Sequence, residues 1–334
     1  VGSEMCIRDR SMLCAAAIPS VLAMSAGAAS ASGDLNGDGS VTAADAAILQ
    51  TSLLGGTALT AEQYANADVT GDGAVDGLDL TRLRQMAAVV PVSDAIAIHL
   101  SDSGITVEGD TKGVTAVSGK TVTISASGNY TVDGSITDGQ ILVNIPDTTA
   151  DSDAVSLYLQ DVTMTSSNGA PCILGQSAKK LKLTCSGENT LTDTAAEANA
   201  DTSGVIYGDC DITVTKNSTG TLNITSSMNT AIRSKDDIKL NGGAVVINTD
   251  VDDTSDADAI RANNTLEVDG ASVSITSSAD GLKSSKEDVS ILSGKVSIKA
   301  GNDAVQAATA LNISGGTVIA LSLIHISEPT RRSY

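Results

Sequence analysis

From Ile96 to Ala320 apolar and polar residues alternate with a period of two in short runs, such as Thr121-Val-Thr-Ile124, Ser156-Leu-Tyr-Leu159, Lys180-Leu-Lys-Leu183 and Asp211-Ile-Thr-Val214. Alternation of this kind, with Val, Ile and Thr dominant and Gly between the runs, predicts strands. In the last third the runs form a repeating unit. Ile232, Ile260, Leu282 and Val305 occupy equivalent places, 28, 22 and 23 residues apart. Each is followed by a second strand (Ile238–Leu240, Leu266–Val268, Val289–Ile291, Leu311–Ile313). A glycine turn at Gly242, Gly270, Gly294 or Gly315 comes next, and then a closing strand. Three short strands per repeat cannot bury an apolar face alone, so the unit predicts one turn of a parallel β-helix in which neighbours stack Ile on Ile. A β-sandwich also strings short strands between turns and is the rival, although it needs no three-strand unit recurring in register.

Ahead of the strands the pattern changes to two short amphipathic stretches, Ala46–Leu54 and Leu80–Met86. Each is preceded by an Asp/Gly-rich loop. In the first loop Asp34, Asn36, Asp38, Ser40 and Asp45 fall at positions 1, 3, 5, 7 and 12. In the second, Asp68, Thr70, Asp72, Ala74 and Asp79 do so, 34 residues later, with Ala74 offering only its backbone carbonyl. A glycine sits at position 6 of both. Alternating oxygen ligands around a sharp turn are the plan by which an EF-hand wraps calcium.

The pair of loops resembles a dockerin, the calcium-folded plug that attaches secreted proteins to cohesins on a scaffold protein. The resemblance implies Ca2+ as cofactor and a cohesin as partner. Three departures stand out. Position 12 is Asp rather than the bidentate Glu of signalling EF-hands, Thr70 stands where Asn is usual, and the partner-choosing positions 10 and 11 read Ala43-Ala44 and Gly77-Leu78. The region from 96 to 320 is similar to a carbohydrate-binding domain family found beside dockerins. Ser127-Gly-Asn-Tyr130, Leu157-Tyr-Leu-Gln-Asp-Val-Thr163, Gly187-Glu-Asn-Thr-Leu-Thr-Asp193 and the Asp-Ala-Ile-Arg and Asp-Gly-Leu-Lys rungs carry the likeness. It implies a mainly β chain, a right-handed parallel β-helix related to pectate lyases, preceded by a small α-helical dockerin.

Residues 1–10 and 321–334 resemble translations, in opposite orientations, of one transposase adapter used in sequencing libraries. They are set aside together with Cys6 and His325. Residues 11–31 read as a signal peptide cut at its basic start, with Ala-x-Ala sites at Ala26 and Ala29; a lipoprotein anchor at Cys14 is the rival. The expected organisation is therefore a dockerin at 33–90, a linker at 91–95 and the β-helix at 96–320. The mature chain is expected to be secreted, without a membrane anchor.

Acidity narrows the partners. A net charge of −20 argues against nucleic acid, whose phosphates would be repelled. The chain has no Trp and no Phe, so an aromatic platform is not available for stacking on sugars. Cys172, Cys185 and Cys210 are too few and too irregular for a disulfide framework and read as buried small hydrophobes.

Candidate chemistry gathers on the repeats. Asp258, Asp280 and Asp303 each lie two residues before the stacked apolar position, where a regular strand would turn them inward, and a dry stack of carboxylates is prohibitively costly. Either a corner turns them outward or a cation neutralises them. With Asp250, Asp252, Asp253 and Asp256 nearby, the alternatives are calcium bound by Asp258 and Asp280 or a solvated acidic loop. Arg233, Arg261 and Lys283 follow the stacked residues by one and point outward. Arg261 and Lys283 are candidates to grip sugar carboxylates or to act as a lyase base; the plain alternative is an ordinary solvent face. His99 has no obvious partner. The expected function is a scaffold-held, non-catalytic binder of plant cell-wall polysaccharide, acidic ones included. The alternatives are a calcium-dependent polysaccharide lyase and a surface adhesin or spacer.

Overall fold

The computed structural model describes residues 33–37, 41, 43–87, 95–249 and 257–322. The signal-peptide reading, the adapter strings apart from Leu321 and Ser322, most of the linker, Asp38, Ser40 and the loop carboxylates from Asp250 to Asp256 lie outside these residues.

The first part is a small helical unit of α1 (Ala43–Leu53), α2 (Ala61–Ala67) and α3 (Gly77–Ala87). Its core pairs equivalent positions of the two loops: Leu35 with Val69, Val41 with Val75, Ala46 with Leu80 and Leu49 with Leu83 all belong to one cluster. The short α2 was not anticipated from periodicity, yet its start carries a capping box. The Thr60 hydroxyl accepts from Gln63 N at 3.2 Å, and Thr60 N donates to Gln63 Oε1 at 3.0 Å. Gln63 then ties the helix to the first loop by donating to the Leu35 carbonyl at 2.8 Å.

The second part is a coil of rungs. Its shorter sheet stacks strands in parallel so that Val122, Ile141, Ile173, Ile206, Ile232, Ile260, Leu282 and Val305 form one internal column. All but Val305 are fully buried. The expected stack of Ile232, Ile260, Leu282 and Val305 is thus the C-terminal half of a longer column. The larger sheet takes the second and closing strands. Ile212, Ile238, Leu266, Val289 and Leu311 are in register on one face, and Leu222, Val245, Val273, Val296 and Val318 on the next. Parallel pairing across both sheets excludes the sandwich. The antiparallel exceptions are at the N-terminal end, where Thr106–Glu108 folds back on Ile96–Leu100 and Thr115–Ser118 on Thr121–Ile124. An open coil end presents unpaired backbone groups, and a returning strand covers them.

Two of the expected glycine turns shift by one residue. Gly270 and Gly294 have φ of 99° and 98°, but at the other two rungs the left-handed residues are Gly243 and Gly316, not Gly242 and Gly315. The requirement at Gly294 is doubled, because a Cβ there would also run into the Ala271 carbonyl of the rung before.

Among the described residues no helix is long and apolar enough to cross a membrane. Cys172, Cys185 and Cys210 are free and buried, and burial pushes each thiol up to about 12, so they are packing residues.

Candidate functional site

In the second loop of the helical unit Asp68, Asp72 and Asp79 each offer a carboxylate oxygen within 4.8 Å of the others. Their placement follows from the loop's own hydrogen bonds. Asp68 accepts from Gly71 N at 2.8 Å and Gly73 N at 2.9 Å, and Asp72 accepts from Ala74 N at 2.9 Å. Asp79, at the start of α3, accepts from Thr70 N at 3.1 Å, the Thr70 hydroxyl at 2.9 Å and Asp76 N at 2.9 Å. Burial pushes the Asp79 carboxyl up, but these donors outweigh it and leave it below its ordinary value. Thr70 thereby sits at the cluster despite replacing the usual Asn. Converging hard oxygens of this kind fit calcium.

The first loop is built the same way. Asp45 accepts from Leu35 N at 2.9 Å and Asn36 N at 3.0 Å, and Asp34 from Gly37 N at 2.7 Å. Asp34 and Asp45 are buried.

On the coil, the outward column beside the apolar stack reads Leu174, Tyr207, Arg233, Arg261, Lys283 and Gln306, in strict register. The carboxylates two residues before the stack are drawn in with it. Asp258 is 5% exposed and Asp280 1%, and what neutralises them is Lys283. Its Nζ lies 2.6 Å from Asp280 Oδ2 and 3.6 Å from Asp258 Oδ2. Arg261 Nη1 lies 3.6 Å from Asp258 and Nε donates to Ser285 Oγ at 3.3 Å. Burial raises the Asp258 carboxyl, Lys283 opposes that, and the Asp280 charge adds to it. A bend at Ala259 and at Gly281 separates each carboxylate from its stacked residue, and Lys283 supplies a cation beside both, so the chain combines the two ways out expected for a carboxylate stack. The same offset recurs on the next rung, where Gln306 Nε2 lies 3.4 Å from Asp303.

One rung earlier Thr230 replaces the aspartate, and among the described residues no carboxylate pairs with Arg233. Its guanidinium lies 5.8 Å from the Tyr207 ring centroid, with Lys235 Nζ at 5.6 Å from the same ring. Sequence reasoning singled out Arg261 and Lys283 and left Arg233 in the background. The signal for it was the Thr at the position where neighbouring rungs have Asp.

His99 does have a partner, contrary to expectation. Its Nδ1 lies 2.8 and 3.0 Å from the two oxygens of Asp133, the residue directly opposite it in the sheet. The separation of 34 residues hid the pair.

A family model described as carbohydrate-binding domain-containing protein matches residues 118–329, and the dockerin type I domain model matches residues 32–86. A carbohydrate-binding domain-containing protein of Acetivibrio thermocellus is 33% identical over 138 residues, 40% of this chain and 46% of that protein. The alignment thus spans about half of that relative's length. A solved polysaccharide lyase-like protein from C. thermocellum aligns with a TM-score of 0.49 at 22% identity, over 67% of this chain and 99% of that one. With its stacked β-helical rungs and its paired calcium-type loops, this chain belongs to the carbohydrate-binding domain-containing family and carries a dockerin type I domain ahead of that region.

Proposed function

We propose that the chain is a secreted, non-catalytic polysaccharide-binding module that its dockerin fixes to a cohesin of a scaffold protein. Calcium held by Asp34, Asn36, Asp38, Ser40 and Asp45, and by Asp68, Thr70, Asp72, the Ala74 carbonyl and Asp79, folds the dockerin. The β-helix holds an acidic plant cell-wall polysaccharide along the strip of Arg233 and Arg261. On a chain of net charge −20 a polyanion has to be met by a local basic strip, because the overall field repels it.

The observation that carries this reading is the position of Lys283. A lyase base has to meet the substrate unprotonated and unobstructed, whereas Lys283 donates at 2.6 Å to a carboxylate that is 1% exposed. The reading favoured here therefore gives Asp258 and Asp280 the task of orienting Lys283 and Arg261 instead of binding calcium. The test is retention on polygalacturonate with calcium, followed together with the absorbance of unsaturated product. Retention without product, weakened by salt and by Arg233→Ala, supports the reading. Steady product formation replaces it with the lyase, and loss of all retention with the adhesin or spacer.

A further inference from the structure

The carboxyl of Asp280 is held by donors at one oxygen and faced by an amine at the other. Its Oδ1 accepts from Asn302 Nδ2 at 2.7 Å and from Asp303 N at 3.0 Å, while Lys283 Nζ lies 2.6 Å from its Oδ2. A second carboxylate stands beside the contact. Asp258 Oδ2 lies 3.6 Å from the same Nζ, and Asp258 Oδ1 accepts from Asp280 N at 3.3 Å. Both carboxylates are buried, so bulk water has little access. These are the parts of a condensation site: an amine at a carboxyl, two donors placed for the oxyanion of a tetrahedral intermediate, and a further acid–base group to move a proton. Burial raises the Asp258 carboxyl against the opposing Lys283 charge, which suits a group that takes up a proton and gives it back.

The arrangement is particular to this rung. At the same offset the neighbouring rungs read Thr230 and Arg233, Asp258 and Arg261, and Asp303 and Gln306. Of these four rungs, the one with Asp280 and Lys283 alone couples a carboxyl with a primary amine. Elsewhere on the coil such pairs leave the carboxylate in water: Asp209, 2.8 Å from Lys235, has a side chain 36% exposed. A competing dehydration would close Asp280 onto the backbone, because Gly281 follows it and an Asp-Gly step can form a cyclic imide. That route needs the Gly281 amide, which is engaged with the Asp303 carbonyl at 2.9 Å.

We propose that the ion pair of Lys283 and Asp280 is the reactant state of a self-formed amide bond between the two side chains. A proton crosses the short contact from Nζ to Oδ2 and leaves a neutral amine and a carboxylic acid. Nζ attacks Cγ, and Asn302 Nδ2 and Asp303 N hold the negative Oδ1. Asp258 takes a second proton from Nζ and passes it to Oδ2; the Cγ–Oδ2 bond breaks and one water leaves. Nζ keeps its third proton as the amide N–H, so no further reactant is needed. Separate groups condense poorly in water, but groups held in contact react with effective molarities that reach about 10⁵–10⁸ M. Exchanging a buried ion pair for a neutral amide also removes a desolvation cost. The bond spans three residues and closes a small loop, which constrains the unfolded chain little. Its main effect is the loss of two buried charges, with Asp258 left to Arg261.

The test is the mass of the purified full chain and of its tryptic peptides, which does not depend on what the coil binds. The bond removes one water and blocks cleavage after Lys283. Residues 262–286 are then expected as a single peptide lacking one water, with fragmentation placing the loss between Asp280 and Lys283. Lys283→Arg keeps the cation and cannot form the amide, so it is expected to show the full mass and normal cleavage. Asp258→Asn keeps the shape and removes the proton carrier, and it is expected to convert about a hundredfold more slowly. A full mass in the wild type after prolonged warm incubation overturns the proposal. So does a water loss that hydroxylamine removes while cleavage after Lys283 stays intact, because that marks a cyclic imide at Asp280 and Gly281. Conversion of Asp258→Asn at the wild-type rate overturns the part given to Asp258.

Discussion

Arg84 Nη2 donates to Gln50 Oε1 at 2.9 Å across the contact between α3 and α1. The two residues occupy equivalent places, 34 residues apart, in the helices that follow the two calcium-type loops. The loops and their helices therefore pack as two copies around a local two-fold, with Leu49 and Leu83 buried beneath the same contact. Neither half has a core without the other, so the state of one loop bears on both.

Removing calcium is expected to unfold this unit and spare the coil. Asp68, Asp72 and Asp79 crowd their oxygens within 4.8 Å, and without a cation their repulsion opposes the fold, while metal binding supplies folding energy. Chelation should abolish the helical circular dichroism of residues 43–87 and cohesin binding, and Asp68→Ala or Asp79→Ala should do so in part. Helical signal that persists unchanged in excess chelator would count against the assignment.

Breaking the internal column should prevent the coil from forming. Ile260 is fully buried between Ile232 and Leu282, so Ile260→Asp inserts an unpaired charge into a dry stack. Ile260→Val should cost only about 0.5–1.5 kcal/mol. Denaturant unfolding of the two variants checks both, and a well-folded Ile260→Asp chain would refute the packing.

Lys283→Ala leaves Asp280 buried without its cation and Asp258 with Arg261 alone, and is expected to destabilise the coil by about 3–5 kcal/mol, the usual cost of breaking a buried pair from one side. Lys283→Met combined with Asp280→Asn removes both charges and should recover most of that loss. Equal instability of the single and double variants would show that the pair is not what holds these rungs.

Acid should weaken the N-terminal rungs through Asp110. The Thr115 hydroxyl hydrogen bond, helped by the Val114 and Thr115 amides, outweighs the opposing effect of burial and holds its carboxyl down at about 2, below the ordinary 3.8. A depressed carboxyl contributes stability that is fully present above 3.8 and is lost as pH falls from 3.8 through about 2. Asp110→Ala should therefore be less stable than the wild type at pH 7, with the gap closing across that window. A gap of the same size at pH 7 and pH 2 would exclude ionisation of Asp110 as its source.

The sequence by itself determined what depends on short spacings. The ligand positions of both loops, the period-two strands and the stacking of Ile232, Ile260, Leu282 and Val305 follow from residues whose offsets are fixed by backbone geometry or by rungs of nearly equal length. The earlier part of the same column, from Val122 to Ile206, stayed hidden because insertions of unequal length separate its rungs, and a repeat with a variable period leaves no register in the chain. Tertiary structure alone decided which charges meet. That Lys283 reaches both Asp280 and Asp258, that Arg233 lies over Tyr207 while Thr230 leaves it without a carboxylate, and that His99 faces Asp133 all depend on which rung lies on which. Stacking sets those distances across loops of arbitrary length, and a linear sequence carries the residues but not the register between them.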